Sequence, residues 1–190
     1  MPRKDILYFT ETGEVNLDET LKIAKERADE LGIKDLVIAS TRGNSALRAL
    51  DYFKDYNLMV VPHVTGFREL GVQELSMEAA EKIKSSGGKI VIAAHTFSGI
   101  DRAIQAKWDT MYPAGIIAQT LRIFGQGMKV TCEIVLEAAD AGYIRSKEPV
   151  ISIAGTGKWK GSDTAIVVSP ANSNRFFEMK VHEIIRKPRL

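Results

Sequence analysis

Short apolar blocks alternate with stretches of helical period along the first half of the chain. Ile6–Thr10, Leu36–Ala39, Leu58–Val61 and Lys89–Ala94 read as strands, each a run of aliphatic or β-branched residues bounded by polar or turn residues. Between the first two, Leu17, Leu21, Ala24, Ala28 and Leu31 recur on one helical face. Asn16 and Glu19 suit a capping box there, and Gly32 suits the end of the helix. After the second strand Ala46, Leu47, Leu50 and Phe53 form another helical face, and Ser76–Lys84 predicts a third helix, followed by a Gly87-Gly88 turn. This order of elements predicts βαβ units and a mostly parallel sheet covered on both faces.

The second half has a different rhythm. Two helices, Ile116–Phe124 and Met128–Ala141, flank Gly125-Gln126-Gly127. The second is apolar nearly all round, which predicts deep burial, with Glu133 and Glu137 as its polar edge. Val150–Ala154 and Ala165–Val168 predict two more strands joined by a glycine-rich loop. Met179–Arg186 fits a final edge strand, able to pair with a second copy, or a short helix. Nothing marks an internal repeat or a linker, so residues 1–190 are expected to form one domain.

Composition narrows the class. The sequence is 45% hydrophobic with a net charge of +2, and its basic residues are interspersed with acids, which argues against disorder and against a nucleic-acid surface. The apolar runs are too short to cross a bilayer, and the first residues make a poor signal peptide. A single cysteine, Cys132, lies in an apolar helical pattern and reads as a buried small hydrophobe in a reducing, cytoplasmic protein. The basic run Ile185-Arg186-Lys187-Pro188-Arg189 reads as a solvated terminus.

In a parallel sheet, ligands bind beyond the carboxyl ends of the strands. That rule gathers Thr41–Ser45, Pro62–Gly71 and His95–Gly99 on one rim. Ser40-Thr41-Arg42-Gly43-Asn44-Ser45 joins a strand to a helix and collects hydroxyls, an arginine and a glycine where outward-facing N–H groups attract an anion. Simple capping by Asn44 or Ser40 explains the same residues. His95, at a strand end, suits ligand contact or acid–base work, or a hydrogen bond to a neighbouring loop, and His63 sits similarly. Ser98 with Asp101 suits a capping box. Gly155–Thr164 is rich in glycine and hydroxyls and suits either a ligand-wrapping loop or a plain hairpin; it is not a Walker A motif. Gly125-Gln126-Gly127 fails the dinucleotide fingerprint, the three histidines lie too far apart in sequence to suggest a metal site, and no nucleophile elbow is present.

Several of these segments together resemble the C-terminal domain of pyruvate kinase. They are Leu36–Ser45 with the following helix and Leu58–Pro62, His95-x-Phe97-Ser98-Gly99, Leu121-Arg122-x-Phe124-Gly125-Gln126-Gly127-x-Lys129-Val130, Gly155-Thr156-Gly157 and Gly161-x-Asp163-Thr164-Ala165. The likeness is stronger to small stand-alone proteins of that superfamily, which are chiefly archaeal and bacterial. Lys158-Trp159-Lys160 makes a longer link than is usual there. The resemblance implies a three-layer α/β/α fold with a mixed sheet and no pyruvate kinase activity, because 190 residues have no room for the catalytic barrel beside this domain. It also implies a small phosphorylated ligand, flavin mononucleotide, with no established reaction; an oxidoreductase is the enzyme such a cofactor would make.

The residues expected to bind it are Ser40, Thr41, Arg42, Gly43, Asn44 and Ser45 at the phosphate, with His95, Thr96, Phe97, Gly155, Thr156, Gly157, Ser162, Asp163 and Thr164 lining the ring or ribityl chain. His95 is the candidate for proton transfer. The alternative is a non-catalytic sensor that binds a phosphosugar or nucleotide and reports occupancy through contacts in a homo-oligomer. No membrane or nucleic-acid partner is expected.

Overall fold

A computed structural model describes residues 5–156 and 161–189. In chain order the elements are β1 (Leu7–Phe9), α1 (Leu17–Leu31), β2 (Asp35–Ala39), α2 (Asn44–Tyr52), β3 (Asn57–Val61), α3 (Met77–Ser85) and β4 (Lys89–Ile90). They continue with α4 (Gly99–Trp108), α5 (Pro113–Arg122), α6 (Gln126–Asp140), β5 (Val150–Ala154), β6 (Thr164–Ser169) and β7 (Lys180–Pro188). The seven strands form one sheet in the order β1-β7-β6-β5-β2-β3-β4. Only β6 runs against the others, pairing antiparallel with both β5 and β7, so the sheet is mixed.

Alternation along the central strands builds two cores. Leu36 and Ile38 of β2 face α1, α2 and α3, joining Leu21, Ala24, Phe53 and Ile83. Val37 points the other way, into a core with Met59, Cys132, Val135, Leu136 and Ile166 beneath α6. This is the three-layer arrangement expected. Cys132 is fully buried, and burial pushes its thiol up to about 12, so it behaves as a small hydrophobe.

Several sequence expectations are corrected. The strand expected over Lys89–Ala94 stops at Ile90, although Val91 N–H still donates to Val60 O at 2.8 Å. The next rung of that ladder needs an N–H from residue 62, which is Pro62 and has none. The segment Met179–Arg186 is a strand rather than a helix: β7 pairs with β6 from Lys180 to Arg186 and with the short β1 only over Arg186–Pro188, so Lys180–Ile185 forms a sheet edge among the described residues. Arg186 is not in a solvated tail. Its guanidinium is buried against the Phe9 ring at 3.8 Å, with Glu19 Oε1 3.5 Å from Nη1. The cause is that the end of β7 has the opposite end of the chain, β1, as its parallel partner. The capping box at α1 does not form, because the Asn16 side chain donates instead to Glu11 O at 2.7 Å.

No helix among the described residues is long and apolar enough to cross a membrane.

Candidate functional site

A cavity of about 750 Å³ opens beyond the carboxyl ends of β2, β3 and β5, where parallel sheets place ligands. Its walls include Ser40–Arg42, Asn44, Ser45, Pro62, His63, Phe67, His95, Phe97, Ser98, Gly155, Thr156 and Ser162. The three rim loops expected from the sequence thus meet in one space, together with both ends of the glycine-rich loop.

The turn from β2 into α2 is built around Gly43, which caps the helix at φ +98°, a conformation that costs a side-chain-bearing residue energy. A Cβ there would lie 2.6 Å from Ala79 Cβ, so α3 packs directly on the glycine. Ser40 Oγ accepts the Ala46 N–H at 3.1 Å and satisfies the third amide of the helix. Capping thus comes from Ser40, not from Asn44, which is the first helical residue. No described residue accepts the N–H groups of Asn44 and Ser45, and both residues line the cavity. A helix start with unclaimed donors on a cavity wall suits an anion. Gly43 itself supports the turn without lining the space.

The opposite wall is aromatic. The His63 ring centroid is 4.2 Å from that of Phe67 and 5.5 Å from that of His95, and Phe67 and His95 are 4.9 Å apart. Arg102 of α4 lies over Phe67 at 4.6 Å. His63 Nδ1 is 2.7 Å from Glu74 Oε2, and Arg68 Nε is 3.3 Å from Glu74 Oε1. Gln73 ties the same loop, donating to His63 O at 3.0 Å and to Thr65 Oγ1 at 3.2 Å. His95 Nε2 accepts the Val64 N–H at 3.4 Å, which assigns its proton to Nδ1. Burial, with His63, Lys129 and Arg102 nearby, holds the imidazole below its usual pKa against the opposing pull of Glu133. Of the two roles expected for His95, it therefore has the hydrogen bond to a neighbouring loop, and it also faces the cavity.

The floor is formed by α6, buried as the sequence predicts and with Glu133 and Glu137 as its polar edge. That edge is itself buried: Glu133 and Glu137, with Lys129, line the cavity one turn apart. Lys129 Nζ pairs with Glu133 Oε2, Glu133 Oε1 accepts the Phe97 N–H at 3.1 Å, and Glu137 Oε1 accepts the Thr96 N–H at 3.3 Å. The two carboxyls thus hold the 95–98 segment against α6. Burial, then the neighbouring Glu133, pushes the Glu137 carboxyl up to about 8. The sequence did carry a signal: three charges at positions 129, 133 and 137 on a helix otherwise too apolar to face water. Thr96 is positioned by this contact and does not itself line the cavity. Ser98 lines it without forming the expected capping box, since its side chain makes no cap hydrogen bond.

The glycine-rich loop divides into two roles. It does join an antiparallel hairpin, β5 to β6. Gly155, Thr156, Gly161 and Ser162 face the cavity. Asp163 and Thr164, expected at the ligand, are instead a buried latch. Asp163 accepts Gly13 N–H at 2.7 Å, Thr156 N–H at 3.2 Å, Thr156 Oγ1–H at 2.8 Å and Thr164 Oγ1–H at 2.9 Å. Four donors exhaust what a carboxylate can usefully offer a ligand. Thr164 also packs on Gly127, where a Cβ would lie 2.1 Å from Thr164 Oγ1. Gly157 and the long link Lys158-Trp159-Lys160 lie outside the described residues. Among the described residues no group of three or more His, Cys, Asp or Glu side chains is arranged to hold a metal ion.

The pyruvate kinase alpha/beta domain family model matches residues 18–168, most of the chain and every residue that lines the cavity, and the chain belongs to that family. Among solved structures, it is similar to Cryptosporidium parvum pyruvate kinase in complex with ADP. The identity is 16%, the match covers 90% of this chain and 24% of that one, and the TM-score is 0.41. The chain therefore spans about a quarter of the length of that kinase.

Proposed function

We propose that this member of the pyruvate kinase alpha/beta domain family binds flavin mononucleotide in the cavity, with the phosphate on the turn that starts α2. One observation carries the reading: the N–H groups of Asn44 and Ser45 have no acceptor among the described residues, on the wall of a cavity of about 750 Å³. That size falls in the range of sites for small organic ligands and cofactors. Arg42 lines the same wall and supplies a cation for the phosphate. The His63, Phe67 and His95 rings give a planar heterocycle surfaces to stack on. Gly155 and Thr156 approach the ligand's chain with backbone.

When bound, the flavin would supply the redox chemistry of an oxidoreductase; the chain's part is to orient it and set the polarity around it. The geometry at His63 is that of an imidazole oriented by a carboxylate, with Glu74 on Nδ1 and Nε2 left to exchange a proton. His95 Nε2 already accepts a backbone N–H. That makes His63, ahead of His95, the group suited to proton transfer in this cavity.

The visible spectrum of the purified protein tests the reading. A yellow preparation whose released chromophore is flavin mononucleotide supports it, as does uptake of the added compound by colourless protein. The second reading is a sensor of phosphosugars or nucleotides that signals through contacts between copies. It rests on the same unclaimed helix start, which accepts any phosphate monoester. Thermal stabilisation by phosphosugars, without flavin uptake, would favour it.

A further inference from the structure

We propose that the cavity has a second pole, where Glu137 stands as a neutral carboxylic acid and donates a hydrogen bond to the bound molecule. The ligand class is then a phosphate monoester whose far end carries an acceptor, a carbonyl oxygen or a ring nitrogen. The inference rests on the reading that a phosphate occupies the α2 turn, and it adds what the other end of the ligand must present.

The geometry on α6 separates two carboxyls that the sequence makes look alike. Glu133 has Lys129 as a counter-ion one turn away and takes the Phe97 N–H on its other oxygen. Glu137 has no cation paired with it among the described residues. Thr96 N–H occupies Oε1 alone, and the residue is 2% exposed while lining the cavity. A buried carboxyl without a counter-ion keeps its proton, because ionising it there means losing hydration with nothing in return. With Oε1 engaged as an acceptor, the proton sits on Oε2 and is available to an acceptor in the cavity. The groups around it leave that state intact. Glu133 and Lys129 lie on the same helix, His95 is held neutral on the facing segment, and His63 and Arg102 stand behind His95. Arg42, Arg68, Arg102 and Arg122 also line the cavity, which disfavours a cationic ligand that might ionise Glu137 instead.

The test is the affinity for flavin mononucleotide between about pH 7 and about pH 9, in the wild type, Glu137→Gln and Glu137→Leu. Burial pushes the Glu137 carboxyl up to about 8, so binding that needs the acid weakens about tenfold across that range. Glu137→Gln keeps a donor and should bind with no such pH dependence. Glu137→Leu should bind weakly throughout. In parallel, the infrared carboxylic acid band of the ligand-free protein at neutral pH should vanish in Glu137→Gln. A wild-type affinity flat or rising with pH, or a Glu137→Leu protein that binds normally, overturns the second pole and leaves the phosphate site standing. Failure of the wild type to bind flavin mononucleotide at any of these pH values overturns both.

Discussion

The two ends of the cavity are made of different material. At the α2 turn the site is backbone: Gly43 turns the chain, Ser40 takes one amide, and Asn44 and Ser45 leave theirs exposed to the cavity. At α6 the site is side chain, with Lys129, Glu133 and Glu137 sunk into a helix of which almost every residue is buried. A backbone anion site is encoded within six consecutive residues, whereas a buried acid exists only once the rest of the fold has excluded water. The first therefore answers to changes in ligand charge and the second to changes in pH.

Removing the polar groups at the α2 end should act most strongly, and on binding alone. The double substitution Arg42→Ala with Ser45→Ala leaves the backbone donors in place and removes a guanidinium and a hydroxyl from the cavity wall; with each side-chain contact to a charged phosphate worth about 1.5–3 kcal/mol, titration of flavin mononucleotide should show its affinity falling a hundredfold or more. Thermal unfolding should barely move. At the α6 end the order reverses. Lys129→Met leaves the Glu133 carboxyl buried without its cation and should destabilise the fold by about 3–5 kcal/mol, read from denaturant unfolding.

Gly43→Ala separates the turn's shape from its chemistry. The new Cβ would meet Ala79 at 2.6 Å in a left-handed conformation, a strain of about 1–3 kcal/mol. Both stability and binding should fall, unlike in the double substitution. Glu137→Gln should have the smallest effect and the clearest sign. The folded carboxyl binds its proton up to about 8, whereas the unfolded one releases it near the ordinary value. The stability linked to that proton is present at acid pH and is lost as pH rises through the folded value. The variant should thus match the wild type at acid pH and exceed its Tm by a few degrees above neutrality.

The sequence made the α2 end legible because everything needed lies between Ser40 and Ser45, flanked by a strand and a helix of clear period. Ser40 and Asn44 were both credible caps, and only the helix start at Asn44 decides between them. The α6 end was legible only in part, for a physical reason. Glu133 and Glu137, four residues apart, read as a polar edge, but what that edge faces is set by the 95–98 segment, some forty residues earlier, which lies over them. Asp163 shows the converse. Its place in a glycine-rich loop suggested a ligand contact, yet Gly13, at the other end of the chain, claims it. The end of β7 repeats the lesson, since β1 pairs with Arg186–Pro188 and its Phe9 ring covers a guanidinium that reads as part of a solvated tail.

The account depends most on a phosphate at the start of α2, and one comparison addresses that directly. The affinities of the wild-type protein for flavin mononucleotide and for riboflavin, which differ only by the phosphate, can be measured by quenching of flavin fluorescence. The account predicts that flavin mononucleotide binds at least a hundredfold more tightly. Equal affinities, or no binding of flavin mononucleotide, would contradict it.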